Sequence, residues 1–422
     1  MNELHCAARD GSAKRTIAVL SRGVISIDHR TSTKGFTPLM LAVSFDHPRV
    51  VGILLNRGAN VAIVNDSGLA ALHMSAHEGG LAVTKLLLKA GADLEATTPG
   101  FTPLHLATAE GHSEVMRVLI EAGANPNSRA MDGATPLYMA ARSGHMDAIK
   151  VLLRAKADPL LTIDSSHCGG TLLPLDEAAY NGHLEVAREL IQEVGIEGCG
   201  GASGGVTALK MAARRQHVEI MGVLTSAGVV DTGKALIAAV LCGQEPSVRF
   251  LLQQEWKASG QEVAYLDTRD NYGATPLFCS IQACRSCSPR ITRLLVDAGA
   301  DTATAVQVAY EEDFVLFDGM PLAIADRLLS EKIVDGKDAT EEQLHSLEAV
   351  RRLLMRVEAV HAASWLWASD VLSVAHAAAE DTGSATKATP TPLVLVLPIL
   401  RRRAGRPRVL WAALFRHSRK PY

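Results

Sequence analysis

Cysteine and histidine are the side chains of this sequence best suited to bind a metal. Cys279, Cys284 and Cys287 follow the spacing C-x4-C-x2-C, which resembles the beginning of a plant-type iron–sulfur motif. A cluster would need a fourth ligand and an exposed loop, whereas Cys279 falls at an apolar position of a predicted helix. We therefore favour ordinary thiols over a cluster, and the sequence predicts no metal site.

Motifs of enzyme chemistry are incomplete in this chain. The glycine-rich stretch 195–205 is neither G-x-G-x-x-G nor a phosphate-binding loop, because no Lys-Ser or Lys-Thr pair follows it. The dipeptide His77-Glu78 lacks the second histidine that a zinc-protease helix requires. The sequence therefore predicts no catalytic residue, no cofactor and no small-molecule substrate.

Eight of the histidines recur at two places in a repeated pattern. One set ends TPLH-like motifs, and the other set follows the residue that ends a short predicted helix. A spacing that follows the repeat is typical of structural hydrogen bonding rather than of a metal geometry. The first set is His5, His73 and His105, and the second is His47, His112, His145, His183 and His217.

The repeated pattern has a period of about 33 residues. The sequence TPLMLAVSFDHPRVVGILLNRG begins at residue 37, and TPLHLATAEGHSEVMRVLIEAG begins at residue 102. A fixed period of this length is typical of stacked helical repeats. Equivalent positions fall at Leu4, Thr37, Ala70, Thr102, Thr135, Leu173, Thr207, Lys234, Thr275 and Met320.

Each repeat has the signals of two short helices. Thr102 is placed to cap the first helix and Pro103 suits its first position, because that position needs no N–H group. Gly111 ends this helix and Gly123 ends the second, since glycine tolerates positive φ. One such repeat cannot bury its own apolar face, so stacking must supply the core.

These repeats resemble the ankyrin repeat family. The pattern G-x-TPLH-x-AA-x-x-GH-x-E-V-x-x-LL-x-x-GA is closely matched at 35–60, 68–93, 100–125 and 133–158, and loosely at 4–28, 171–192, 205–228, 233–253 and 273–301. The resemblance implies an all-α solenoid of about nine to ten repeats with short β-hairpin fingers. It also implies a non-catalytic scaffold or adaptor that binds a protein through its concave face.

The predicted domains follow from the repeats and from composition. Residues 1–360 form the array, which is regular over 35–158 and degenerate with insertions over 159–360. Within it, Thr340 and Gln343 have the spacing of a capping box, which starts a helix that covers the open end of the array. Residues 361–377 are expected to be a helical cap, and 378–422 a basic, disordered tail.

The tail carries most of the positive charge. From residue 382 onward there are nine basic residues and no acidic one, which gives this segment a charge of +9. Because the net charge of the whole chain is −3, residues 1–381 carry −12. An array that delivers this tail to an anionic membrane surface or to nucleic acid is the alternative function. Seven scattered cysteines and no apolar leader favour the cytoplasm, with the nucleus as the alternative. We expect a monomer.

The expected binding residues lie where each first helix ends. In the family the contact surface comprises the finger tips and this end of the first helix. Arginine there suits carboxylates, so we expect an acidic protein partner, and we expect Tyr180 to share a patch with Arg142 and Arg214. The expected residues are Ser44, Phe45, His77, Glu78, Glu110, Arg142, Ser143, Tyr180, Asn181, Arg214 and Arg215.

Overall fold

The computed structural model describes residues 1–98, 100–165, 170–198, 205–231, 233–254, 265–282, 289–302, 306–309, 316–319, 321–331, 333–334, 337–338, 340–341 and 343–359. The described residues form ten pairs of helices, which confirms the all-α repeat fold. They belong to two compact parts, an N-terminal part (Met1–Val230) and a C-terminal part (Asp231–Tyr422). The predicted cap at 361–377 and tail at 378–422 lie outside the described residues, as do Cys284 and Cys287.

Seven helix pairs, repeats one to seven, make up the N-terminal part. The first helices are α1 (Glu3–Arg9), α3 (Pro38–Ser44), α5 (Ala71–Glu78), α7 (Pro103–Ala109), α9 (Pro136–Ser143), α11 (Pro174–Asn181) and α13 (Val206–Arg214). The second helices are α2 (Ala13–Ser21), α4 (Pro48–Asn56), α6 (Leu81–Lys89), α8 (Ser113–Glu121), α10 (Met146–Arg154), α12 (Leu184–Gly198) and α14 (Val218–Ser226). Each first helix from α1 to α11 contacts the first helix of the next repeat.

The first helices begin as the sequence predicts, with one difference of detail. Thr135 Oγ1 accepts a hydrogen bond of 3.2 Å from Tyr138 N, and Thr37 caps α3 in the same way. Thr102 instead places its Oγ1 2.8 Å from His105 Nδ1, because the repeat has a histidine where the other two have Tyr138 or a methionine. Beneath these caps lie fully buried leucines such as Leu104.

Fingers connect the repeats. In the regular block they are tight turns, as where Ala130 N donates to Ala134 O at 2.8 Å, with isolated bridges rather than longer strands. Before repeat six, β1 (Ile163–Ser165) pairs antiparallel with β2 (Gly170–Leu172). The finger prediction therefore corresponds to a paired hairpin at this point and to shorter turns before it.

The histidines of the TPLH-like motifs bond to the finger that follows them. His73 Nε2 lies 2.8 Å from Ala96 O, and His105 Nε2 lies 3.1 Å from Ser128 O. Since a carbonyl only accepts, Nε2 carries the proton, and His105 Nδ1 accepts from Thr102 N. Burial lowers the pKa of both imidazoles, which keeps them in this neutral form.

The second set of histidines ties each repeat to the one before it. Each Nε2 lies 2.9–3.2 Å from a backbone carbonyl at or next to the end of the preceding first helix. Each imidazole also packs on the glycine that follows that helix. A Cβ built on Gly144, for example, would lie 2.5 Å from His183 Nδ1. The five histidine-to-carbonyl pairs are His47 with Arg9, His112 with His77, His145 with Ala109, His183 with Arg142, and His217 with Tyr180.

The junction between repeats two and three departs from this rule on both sides. Asp46 stands in the place of the glycine and has φ +48°, and Gly80 stands in the place of the histidine. A Cβ on Gly80 would lie 2.9 Å from Asp46 Oδ1. The larger residue on one side of the junction is therefore matched by the smaller residue on the other.

The C-terminal part contains the remaining three helix pairs and two hairpins. Its elements are α15 (Lys234–Leu241), α16 (Glu245–Gln253), α17 (Pro276–Gln282), α18 (Pro289–Asp297), β3 (Val306–Ala309), β4 (Leu316–Gly319), α19 (Pro321–Glu331), β5 (Ile333–Val334), β6 (Lys337–Asp338) and α20 (343–359). Strand β3 pairs antiparallel with β4, and β5 pairs antiparallel with β6.

Two polar caps begin helices of the C-terminal part. The buried carboxylate of Asp231 accepts hydrogen bonds from Gly233 N, Ala235 N and Leu236 N at the start of α15. Burial raises the pKa of Asp231, and these hydrogen bonds oppose that shift. At α20, Thr340 and Gln343 exchange reciprocal hydrogen bonds of 2.8 and 3.3 Å, as the predicted capping box requires.

The glycine–histidine junction makes a thermodynamic prediction. Gly144→Ala should destabilise the protein by about 1–3 kcal/mol, because alanine is strained at φ +75° and its Cβ meets His183. In the double variant with His183→Ala, the clash is absent, so the total loss should be at least about 0.5 kcal/mol smaller than the sum of the two single losses. Free energies of unfolding from urea titrations measure both quantities.

Gly58→Ala is the matched control. Gly58 also has positive φ, yet no described atom lies within 4 Å of a Cβ built on it. Its cost should add to that of His183→Ala without coupling. If the losses of unfolding free energy from Gly144→Ala and His183→Ala were strictly additive, contact with the imidazole would not be the reason that position 144 needs glycine.

Candidate functional site

The expected binding residues form a row along the N-terminal part, which we call the helix-end row. Each lies in the last turn of a first helix or at its C-cap, as Phe45 does for α3 and Arg215 does for α13. Helix geometry explains the row, because equivalent positions of adjacent parallel helices lie side by side. Most of these side chains are exposed, whereas the apolar positions before them are buried.

The middle of the row is acidic and joined between repeats. His77 Nδ1 lies 3.2 Å from Glu78 Oε1, and His77 Nε2 lies 3.8 Å from Glu110 Oε1 of the next repeat. In repeat two, Phe45 stacks on His47 with ring centroids 6.4 Å apart and remains 52% exposed. The exposed aromatic ring and the two carboxylates are available to a partner.

At the C-terminal end of the row, Tyr180 contacts Arg215. The guanidinium of Arg215 lies 4.3 Å from the centroid of the Tyr180 ring, and its Nη2 donates a 2.8 Å hydrogen bond to Tyr180 Oη. The side chain of Arg214 makes no hydrogen bond or ion pair with another described residue. The aromatic–cationic pair that we expected with Arg214 is therefore made by its neighbour, because Arg215 is the C-cap residue and Arg214 still belongs to the helix.

Arg142 faces a carboxylate that the sequence did not single out. Its Nε lies 3.8 Å from Glu177 Oε1, a side chain that is only 12% exposed. Glu177 also accepts hydrogen bonds from Tyr138 Oη at 2.8 Å and from Asn181 Nδ2 at 3.2 Å. Burial and this carboxylate raise the pKa of Tyr138, so the phenol remains a donor. Ser143 is exposed beside Arg142.

A cavity of about 230 Å³ opens next to Arg142, between repeats four and five. Its apolar lining comes from both repeats and from the finger between them. Asp132 and Arg142 bring opposite charges to the same cavity. The lining residues are Phe101, Ala109, Asp132, Ala134, Tyr138, Met139, Arg142 and Ser143.

The described residues contain no group of three or more side chains suited to hold a metal ion. Cys279 is buried in α17, and burial raises its pKa to about 12, as expected of a thiol that replaces an apolar residue. No described helix is both long enough and apolar enough to cross a membrane.

Comparison with known proteins identifies the repeats. A family model described as ankyrin repeats in three copies matches residues 4–98, 72–163 and 122–199, which together cover just under half of the chain. Residues 4–199 are ankyrin repeats. Ankyrin repeats are generally modules of protein–protein interaction, and the family is generally non-catalytic.

Relatives match the chain over short lengths and share only a small part of their own length with it. The NAD-capped RNA hydrolase NUDT12 of Homo sapiens is 33% identical over 90 residues, which are 21% of this chain and 19% of that protein. Ankyrin repeat protein nuc-2 of Neurospora crassa is 33% identical over 100 residues, 23% of this chain and 9% of that protein. A putative ankyrin repeat protein of fowlpox virus is 36% identical over 95 residues, 22% of this chain and 28% of that protein.

Glu177 and Tyr138 were not among the predicted site residues, because that prediction covered only the ends of the first helices. A signal was present in both cases. Tyr138 replaces the structural histidine of the ankyrin TPLH motif, and Glu177 lies one turn before Asn181 on the same helix. A polar residue in place of a buried histidine needs a new partner, and Glu177 supplies it.

Asp176 is a second replacement of the ankyrin histidine. It is 4% exposed, and it accepts a 2.8 Å hydrogen bond from Leu173 N at the start of α11. Burial, with a smaller contribution from Glu177, raises its pKa to about 7, although the hydrogen bond opposes the shift. The protonated acid is therefore the form that the folded protein prefers at mildly acidic pH.

The raised pKa predicts a pH-dependent stability. The unfolded chain releases the Asp176 proton near pH 3.8 and the folded protein near pH 7, so stability from this group is lost as pH rises through that window. Asp176→Asn keeps the acceptor but has no charge to bury. It should gain stability relative to wild type by up to about 4 kcal/mol between pH 4 and pH 8.

Denaturant unfolding at several pH values tests this gain. Asp147→Asn, an exposed residue of the first turn of α10, is the control and should not reproduce it. Parallel stability curves for wild type and Asp176→Asn would rule out a buried, titrating Asp176.

Proposed function

We propose that the N-terminal part is a non-catalytic scaffold or adaptor module that binds a protein partner along the helix-end row and the adjoining fingers. The observation that carries this proposal is the row itself, a largely exposed band of varied side chains on six successive first helices. The positions beneath it repeat buried leucine and alanine. A surface that varies on an invariant support is suited to recognition.

The histidine bonds between repeats support recognition by a rigid surface. Each one fixes a backbone carbonyl at the helix end and thus the spacing of neighbouring row residues. A surface ordered before binding loses less conformational entropy when the partner arrives.

An acidic partner is the best match to the C-terminal end of the row. Arg142, Arg214 and Arg215 bring three guanidinium groups to repeats five to seven. Tyr180 holds Arg215 in place by stacking and by a hydrogen bond, which favours bidentate pairing with a carboxylate. Glu78 and Glu110, farther along, favour a partner that is less acidic at its other end.

The second candidate function rests on charge. The nine basic residues from 382 onward contrast with the −12 carried by residues 1–381. In this alternative the array targets the tail to anionic lipid or to nucleic acid, in the cytoplasm or the nucleus. Deletion of 382–422 would abolish such binding, and its affinity would fall steeply with salt. The scaffold function would survive the deletion.

Charge reversal tests the scaffold proposal. The triple variant Arg142→Glu, Arg214→Glu, Arg215→Glu should capture at least ten-fold less partner than wild type, because its glutamates then repel an acidic surface. Affinity capture with the full chain and quantitative mass spectrometry measures the loss. The thermal midpoint should change little, since all three side chains lie at the surface.

The matched control reverses three arginines on second helices, Arg117, Arg154 and Arg188, which lie outside the row. It applies the same change of net charge and should capture the wild-type partners. Equal capture by both triple variants and wild type would refute the role of the basic end.

A further inference from the structure

We propose that the cavity between repeats four and five anchors one apolar side chain of the partner, and that Arg142 binds a carboxylate next to that side chain. This inference rests on the proposed function and assigns its partner a local chemistry. We call the cavity with Arg142 the anchor site.

The anchor site exists because two adjacent repeats lack bulk at the same place. Before the TPL motif the preceding repeats have Phe36, Leu69 and Phe101, whereas repeat five has Ala134. At the helix end, repeat four has Ala109 where most other repeats have a larger residue. The two alanines face one cavity and leave it open.

The lining selects an apolar occupant. Phe101, Met139 and the ring of Tyr138 supply carbon surface together with the two alanines. The cavity, of about 230 Å³, is open to solvent and can therefore admit a side chain from outside. Filling such a cavity with a side chain removes apolar surface from water on both partners, which is how interface anchors contribute most of their affinity.

The charges select a carboxylate next to that side chain. Arg142 is 68% exposed, and its contact with Glu177 is long, at 3.8 Å. Glu177 already accepts hydrogen bonds from Tyr138 and Asn181, so its carboxylate does not need the guanidinium of Arg142 as a further donor. Arg142 therefore retains donors for a carboxylate of the partner. Asp132, which also lines the cavity, disfavours a run of acidic residues there.

Selection from a library of random 12-residue peptides on phage, against the full chain, tests the anchor site. Enriched peptides should share an apolar residue within three positions of a single Asp or Glu. Synthetic copies should bind at least ten-fold more weakly to Ala134→Phe and Ala109→Met, which fill the cavity, and about five-fold more weakly to Arg142→Gln. Fluorescence anisotropy measures these affinities.

Matched controls place the same changes on second helices, outside the helix-end row. Ala82→Met on α6 corresponds to Ala109→Met, and Arg154→Gln on α10 corresponds to Arg142→Gln; both residues are exposed, and both variants should bind the peptides within two-fold of wild type. Circular dichroism verifies folding, and Ala109→Met decides the test if Ala134→Phe does not fold, because residue 109 is only half-buried.

The outcomes separate this inference from the proposed function. Peptides that bind Ala109→Met as tightly as wild type, but lose affinity for the charge-reversed triple variant, would overturn the anchor site and leave the binding row intact. A selection that enriches no peptide, or only peptides insensitive to every row variant, would count against both proposals.

Discussion

The hydrogen bond from an imidazole to the carbonyl of the preceding repeat is the interaction on which the N-terminal part depends. The last carbonyls of a helix have no partner within the helix, and a short helix has few other bonds to compensate. Here the next repeat supplies the donor, so the end of one helix is satisfied only when the following repeat is in place. Stacking thereby completes local structure as well as burying apolar surface.

The same bond holds the backbone beneath the exposed row. Row residues occupy helix ends, which would fray in an isolated helix. The histidine holds the backbone of residues such as Arg142 and Tyr180 from the other side of the junction. At Arg142, for example, the side chain is exposed to solvent, whereas the carbonyl accepts a hydrogen bond from the next repeat.

The fold could be predicted from the sequence because the signals that specify it are local and recur in each repeat. The helix starts, the glycine stops and both histidine positions recur within about 33 residues, so each repeat confirms the others. The contacts of the candidate site could be predicted less fully. That Arg215 rather than Arg214 contacts Tyr180 depends on where the helix ends to within one residue. The bond between Tyr138 and Glu177 joins residues 39 positions apart, and spacing within one repeat does not indicate it.

At each glycine–histidine junction the glycine belongs to one repeat and the histidine to the next. Two repeats can therefore pack as neighbours only if the residues that they bring to the junction fit each other. Five junctions of the N-terminal part use glycine followed by histidine, whereas the junction of repeats two and three uses Asp46 with Gly80. A duplication or exchange of whole repeats preserves packing only where both edges are of the same kind. Repeats four and five have like edges, but repeat three carries a different edge on its N-terminal side. The order in which repeats can follow one another is therefore constrained at these junctions.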